Sequence, residues 1–211
     1  MRWVSSFVVV MLLVAAVPGA AAIQQMTAAK PPTVEGPLTP QEPRCDRKRQ
    51  IYKGEVAGVA KRCLHFYAYS PASESDFGND YGVLWLQSTV DGKNGWCASR
   101  VNPKILLPEG LGLHARAPTE GKKVAGRSAM TTDLALDANG NGEPARVKQD
   151  WIAYPESFST TTAEDNTLFK LSWTGKTGKP LGFAHGIEVS WPTDAPPEGI
   201  SVRLDFRLAA C

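Results

Sequence analysis

Asp137, Asn139, Asn141 and Gly142 stand in the order D-x-N-x-N-G, the first half of an oxygen-rich calcium loop in which alternate side chains point inward and glycine makes the sharp turn. The second half departs from that chemistry. The ninth position is Ala145 and the twelfth is Lys148, where a bidentate Glu would supply the last oxygens and offset the charge of the ion. Glu143 alone adds an anion. The pattern therefore predicts a tight turn between two strands, a role Asn-Gly fills because it tolerates positive φ. Calcium held by Asp137, Asn139 and Asn141 is the alternative, and no other cofactor is implied.

Nucleophilic chemistry needs a Ser, Thr or Cys with a base in reach. Gly126, Arg127 and Ser128 begin like a nucleophile elbow, but position 130 is Met and the strand-to-helix context that exposes such a serine is missing. His65, His114 and His185 have no partner at a diagnostic spacing. Paired carboxylates for glycoside hydrolysis stay open, because their partnership is a separation in space and not in sequence.

Four cysteines, Cys45, Cys63, Cys97 and Cys211, lie 18, 34 and 114 residues apart. Zinc sites use tight pairs such as C-x-x-C, so this spacing argues for two disulfides in an oxidising compartment. Three connectivities are open. Cys63 with Cys97, each inside a candidate strand, and Cys45 with Cys211, which would staple the ends of the core, are preferred.

The aromatic run from Cys63 to Tyr69 alternates. Cys63, His65, Tyr67 and Tyr69 share one face of a strand, and Leu64, Phe66 and Ala68 share the other. The second set suits a core. The first could present a flat amphipathic platform for a sugar ring or a protein partner, extended by Tyr81, Trp85 and Trp96, or it could pack around the Cys63 disulfide. A binding face of His65, Tyr67, Tyr69 and Trp96 is the candidate site. Arg44, Arg47, Lys48, Arg49 and Lys53 form a basic cluster, with no helix or Gly-rich loop to organise it for phosphate; such clusters are usually solvated faces.

The elements that must position these residues are strands. Ile200, Val202, Leu204, Phe206 and Leu208 alternate with Ser201, Arg203, Asp205 and Arg207, and shorter alternations cover Phe169 to Trp173 and Ile187 to Trp191. Further candidates are Ile51 to Val59, Arg62 to Tyr69, Tyr81 to Val90, Gly95 to Val101, Thr132 to Leu136 and Arg146 to Tyr154. The 19 glycines and 16 prolines fall too often for a long helix. About nine strands at this spacing predict an all-β fold, an antiparallel sandwich or a barrel-like arrangement.

The N-terminus predicts export. A weakly positive head precedes an apolar run from Phe7 to Val17, shorter than the ~20 residues that cross a bilayer, and small residues follow up to Ala22. Residues 1–22 read as a signal peptide and 23–44, with five prolines, as a disordered, flexible tether. Residues 45–211 read as one disulfide-stapled β domain, with a joint between two smaller units conceivable near 108–110. Without the signal the net charge falls from +2 to +1, which provides no global attraction to nucleic acid, and no further stretch is long enough to span a membrane.

These features predict a secreted or extracytoplasmic module that binds polysaccharide, wall material or a protein without catalysis. The alternatives are a secreted hydrolase whose site is assembled only in three dimensions, and an extracellular assembly component.

Overall fold

A computed structural model describes residues 31–69, 78–118, 134–138, 144–149, 158–163, 167–194 and 198–211. The described chain is all-β, with thirteen strands in three antiparallel sheets, where the sequence alternation predicts about nine. The extra strands are short or arise from splitting, and the sheets do not close into a barrel.

The largest sheet is built on β4 (Glu55–Tyr69), β5 (Asn79–Gly92) and β12 (Leu181–Pro192). β7 (Gly112–Ala117) pairs with the far side of β12. β2 (Leu38–Pro40) and β3 (Arg44–Tyr52) share the outer side of β4, β2 opposite Tyr67–Tyr69 and β3 along the rest. On one face lies a four-stranded sheet in the order β10 (Ser159–Thr162), β11 (Leu168–Thr177), β6 (Trp96–Leu106), β13 (Ser201–Ala210). On the other lies a small sheet of β1 (Thr33–Glu35), β9 (Ala145–Gln149) and β8 (Leu134–Ala138).

Sequence pattern and burial agree strand by strand. In β13 Val202, Leu204, Phe206 and Leu208 turn inward while Ser201, Arg203, Asp205 and Arg207 are exposed, as an outer strand with one covered face requires. In β12 every residue from Leu181 to Trp191 is buried, because both of its faces are covered. Leu84, Leu86, Ile105, Phe169, Ile187 and Val189 fill the space towards the four-stranded sheet. Val83, Trp85, Leu136 and Val147 pack on the other side, and a Cβ at Gly186 would run into the Trp85 ring. Each of these large side chains contributes about 1.5–3 kcal/mol by leaving water.

Several sequence expectations change. Thr33–Glu35 and Leu38–Pro40, within the segment read as a tether, are strands that pair with β9 and β4. The candidate strand Ile51 to Val59 is broken by a two-residue turn at Lys53 (φ 49°) and Gly54 (φ 83°), which folds β3 back along β4. Pro108–Gly110 link β6 in one sheet to β7 in another, and the apolar cluster around Ile105 and Ile187 draws on both sides of that link. The disulfides are Cys45–Cys63 and Cys97–Cys211, replacing the preferred Cys63–Cys97 and Cys45–Cys211. The reason is register: Cys45 lies directly opposite Cys63 on paired strands, and Cys97 pairs with Ala209, two residues before Cys211. Phe7 to Val17 and Ala22 lie outside the described residues.

Loop length sets an expected difference between the two bridges. In the chain-entropy account, closing 114 residues contributes about 5 kcal/mol and closing 18 about 3 kcal/mol. Urea unfolding of Cys97→Ser/Cys211→Ser should therefore show the larger loss, by about 1–2 kcal/mol relative to Cys45→Ser/Cys63→Ser.

Candidate functional site

The alternation of β4 is as the sequence indicates, with His65, Tyr67 and Tyr69 on one face and Leu64 and Phe66 on the other. The face is not open. The small sheet lies over it, and His65, Tyr67 and Tyr69 retain 8%, 3% and 8% of their exposure. Polar groups there find each other: His65 Nε2 is 3.0 Å from Gln87 Oε1, and Gln87 Nε2 donates to Gln149 Oε1 on β9. Burial lowers the His65 pKa against the opposing effect of the Gln87 hydrogen bond, and burial pushes the Tyr67 hydroxyl up to about 12. Trp96 is elsewhere. It begins β6 in the other large sheet and meets Tyr52 edge-on, with ring centroids 4.7 Å apart. The four residues of the candidate face therefore do not form one platform.

His185 is in the middle of β12, fully buried against Phe169 (ring centroids 5.3 Å), and neither ring nitrogen has a hydrogen-bond partner. Burial lowers its pKa to about 3. His114 Nε2 lies 2.7 Å from Ser190 Oγ, and the Tyr81 ring is 5.3 Å from the imidazole. A Cβ at Gly112, opposite Ser190, would lie 2.5 Å from that hydroxyl. This pair is 76 residues apart in sequence and no spacing signals it. Ser128, Asn139 and Asn141 lie outside the described residues. Asp137 is exposed on β8, with Arg146 of β9 3.3 Å away, and the two strands pair antiparallel up to Ala138 and Ala145.

The two large sheets part along one edge. A cleft of about 830 Å³ opens there, floored by Leu64, Phe66, Leu84 and Ile200 and rimmed by Gln41, Glu42, Arg44 and Glu198. Further along the same edge Arg62 ties the sheets together, donating to Val202 O and to Asp46 Oδ2 (2.8 Å).

The most pronounced surface feature is electrostatic. All nine residues of β3 are exposed. Residues 44–62 hold seven cations against Asp46 and Glu55, a net +5 in a chain whose total is +2. One further turn meets this hairpin near its tip, and a second lies at the same end of the strands. Lys93 N donates to Ala57 O and Asn94 Nδ2 to Val56 O, so the β5–β6 turn lies beside it. The β11–β12 turn, carrying Lys179 and preceded by Lys176 at the end of β11, brings Gly178 against the Cys97–Cys211 bridge. At the opposite end of the strands stand Glu42, Asp80, Glu109, Asp194 and Glu198. The turns at the two ends thus differ in sign, while Lys104, Lys170 and Arg203 stand in one row on the strands near the acidic end and Arg44 shares its cleft with Glu42 and Glu198.

His185 generates a pH dependence. Its folded pKa lies below the unfolded value of about 6.5, so its neutral form is retained at full stability above that pH. As pH falls from about 6.5 towards about 3, the unfolded chain takes the proton first, and stability drops by about 1.4 kcal/mol per unit. Urea titrations between about pH 7 and about pH 4.5 should show this slope in the wild type and a shallower one in His185→Leu.

Neither protein-family models nor curated proteins match this chain, so its geometry is the ground on which a function is read.

Proposed function

We propose that this chain is a non-catalytic β-sandwich module that works outside the cytoplasm and attaches to an anionic partner through its cationic end. Two disulfides suit an oxidising compartment. The observation that carries the reading is the local concentration of cations: Arg47, Arg49, Lys53 and Lys61 lie on one exposed hairpin. Edge strands often carry charge to block sheet extension. That need is met by either sign, and a surplus of five positive charges goes beyond it. Like charges placed opposite each other, as Arg47 and Lys61 are, destabilise a hairpin unless something outside neutralises them.

The test is retention on a sulfated-polysaccharide matrix, eluted with salt. The protein should bind despite its small net charge and elute earlier for Arg47→Glu/Arg49→Glu. Two reversals near a charged surface, at roughly 1 kcal/mol per cation, correspond to at least about tenfold weaker binding. Glu198→Gln at the other end should leave elution unchanged. Unretarded passage of the wild type would remove the reading.

The His114–Ser190 contact favours a second reading, a hydrolase in which His114 accepts the Ser190 proton as the hydroxyl attacks. A fluorophosphonate probe that labels the wild type and not Ser190→Ala would establish a nucleophile there. No labelling would leave the pair as a structural hydrogen bond.

A further inference from the structure

We infer that the cationic end docks on an anionic phospholipid bilayer, with Ile51, Tyr52 and Trp96 entering the headgroup region. This rests on the anionic-partner reading above and names the partner. Among the described residues, Ile51 (57% exposed) and Tyr52 (49%) are the exposed large hydrophobics, and they are neighbours at the tip of the most cationic hairpin. Trp96, half-buried at the start of β6, packs edge-on to Tyr52. A hydrated polyanion provides nothing for Ile51 to enter. A bilayer interface does, since Tyr and Trp settle at headgroup level with the apolar ring inward and the polar tip in water.

The cations are placed for the same contact. Arg49 precedes the tip, Lys53 follows it, Lys93 comes from the turn beside it, and Lys176 and Lys179 come from the end of β11 and the β11–β12 turn at the same end of the strands. The side-chain carboxylates on these turns and strand ends are Glu55 and Asp91; the buried Asp91 pairs with the Lys93 ammonium, so these two charges offset each other and the surplus rests on Arg49, Lys53, Lys176 and Lys179. Basic residues around an apolar tip draw it to anionic lipid, and the apolar residues then hold it there.

The rings are poorly arranged for stacking on sugar. Tyr52 and Trp96 cross at 62° and present no common flat surface, and Lys53 Nζ lies 5.5 Å above the Tyr52 ring. The tip is also held ready. Lys53–Gly54 and Asn94–Gly95 are both two-residue turns with positive φ, Asn94 bonds to β4, and the Cys45–Cys63 and Cys97–Cys211 bridges close the elements behind them. Little ordering cost remains on binding.

The experiment is cosedimentation of the oxidised protein with phosphatidylcholine vesicles and with phosphatidylglycerol-rich vesicles, alongside binding to dextran sulfate. The wild type should sediment with the anionic vesicles and not the neutral ones. Ile51→Ser/Tyr52→Ser, which changes no charge, should lose roughly tenfold or more in vesicle affinity while keeping dextran sulfate binding. Arg49→Glu/Lys53→Glu should lose both. In a second readout, bromine-labelled acyl chains should quench wild-type tryptophan fluorescence and leave Trp96→Phe largely unquenched. Undiminished vesicle binding by the tip variant, or equal quenching of both proteins, would overturn bilayer insertion and leave the anionic-partner reading intact. Failure of the wild type to bind either dextran sulfate or anionic vesicles would overturn both.

Discussion

The pairing of β5 with β12 is the constraint on which the rest of the molecule depends. Twelve residues run in unbroken antiparallel register, from Leu181 opposite Val90 to Pro192 opposite Asn79, and both faces of this ribbon are buried. A sheet covered on both sides must bury whatever its strands carry. Apolar side chains such as Leu84, Leu86, Ile187 and Val189 gain from that directly, and they fix where the four-stranded sheet sits. Polar side chains on the other face have no such option and need partners.

The polar face follows from this. His65, Gln87 and Gln149 form a hydrogen-bonded chain across two sheets, linking β4, β5 and β9, so the small sheet is held by specificity as well as by Leu136 and Val147. His185 is the opposite case. It occupies a position that Ile or Leu would fill in a dry core, with no hydrogen bond to repay the loss of water, and its neutral state is what burial enforces.

Strand direction organises the surface in the same way. With β4, β5 and β12 antiparallel and nearly in line, the turns Lys53–Gly54, Asn94–Gly95 and the β11–β12 connection are brought to one end, and the links at Pro108–Gly110 and Thr193–Asp194 to the other. Turns are polar, and here the turns of one end carry lysine while those of the other carry Asp and Glu. The outer strand β3 adds its own cations to the first group. A chain nearly neutral as a whole thus concentrates positive charge at one hairpin, a local field that the net charge conceals.

Much of the local structure was legible in the sequence, because it depends on neighbours along the chain. The alternation from Ile200 to Leu208 became β13, the shorter alternations became parts of β11 and β12, and the frequency of Gly and Pro excluded long helices from the reading. Four cysteines without metal spacing did form disulfides. What the sequence left open depends on which strands lie beside one another. Alternation separates the two faces of β4 and says nothing of whether the face with His65, Tyr67 and Tyr69 meets water or another sheet; only the small sheet over it decides that. Disulfide partners follow from register between strands, which placed Cys45 opposite Cys63, and the contact of His114 with Ser190 from the register of β7 on β12. The composition by itself determined how much charge the protein carries, whereas the tertiary structure decided where it goes, because distance in space sets a field and distance along the chain does not.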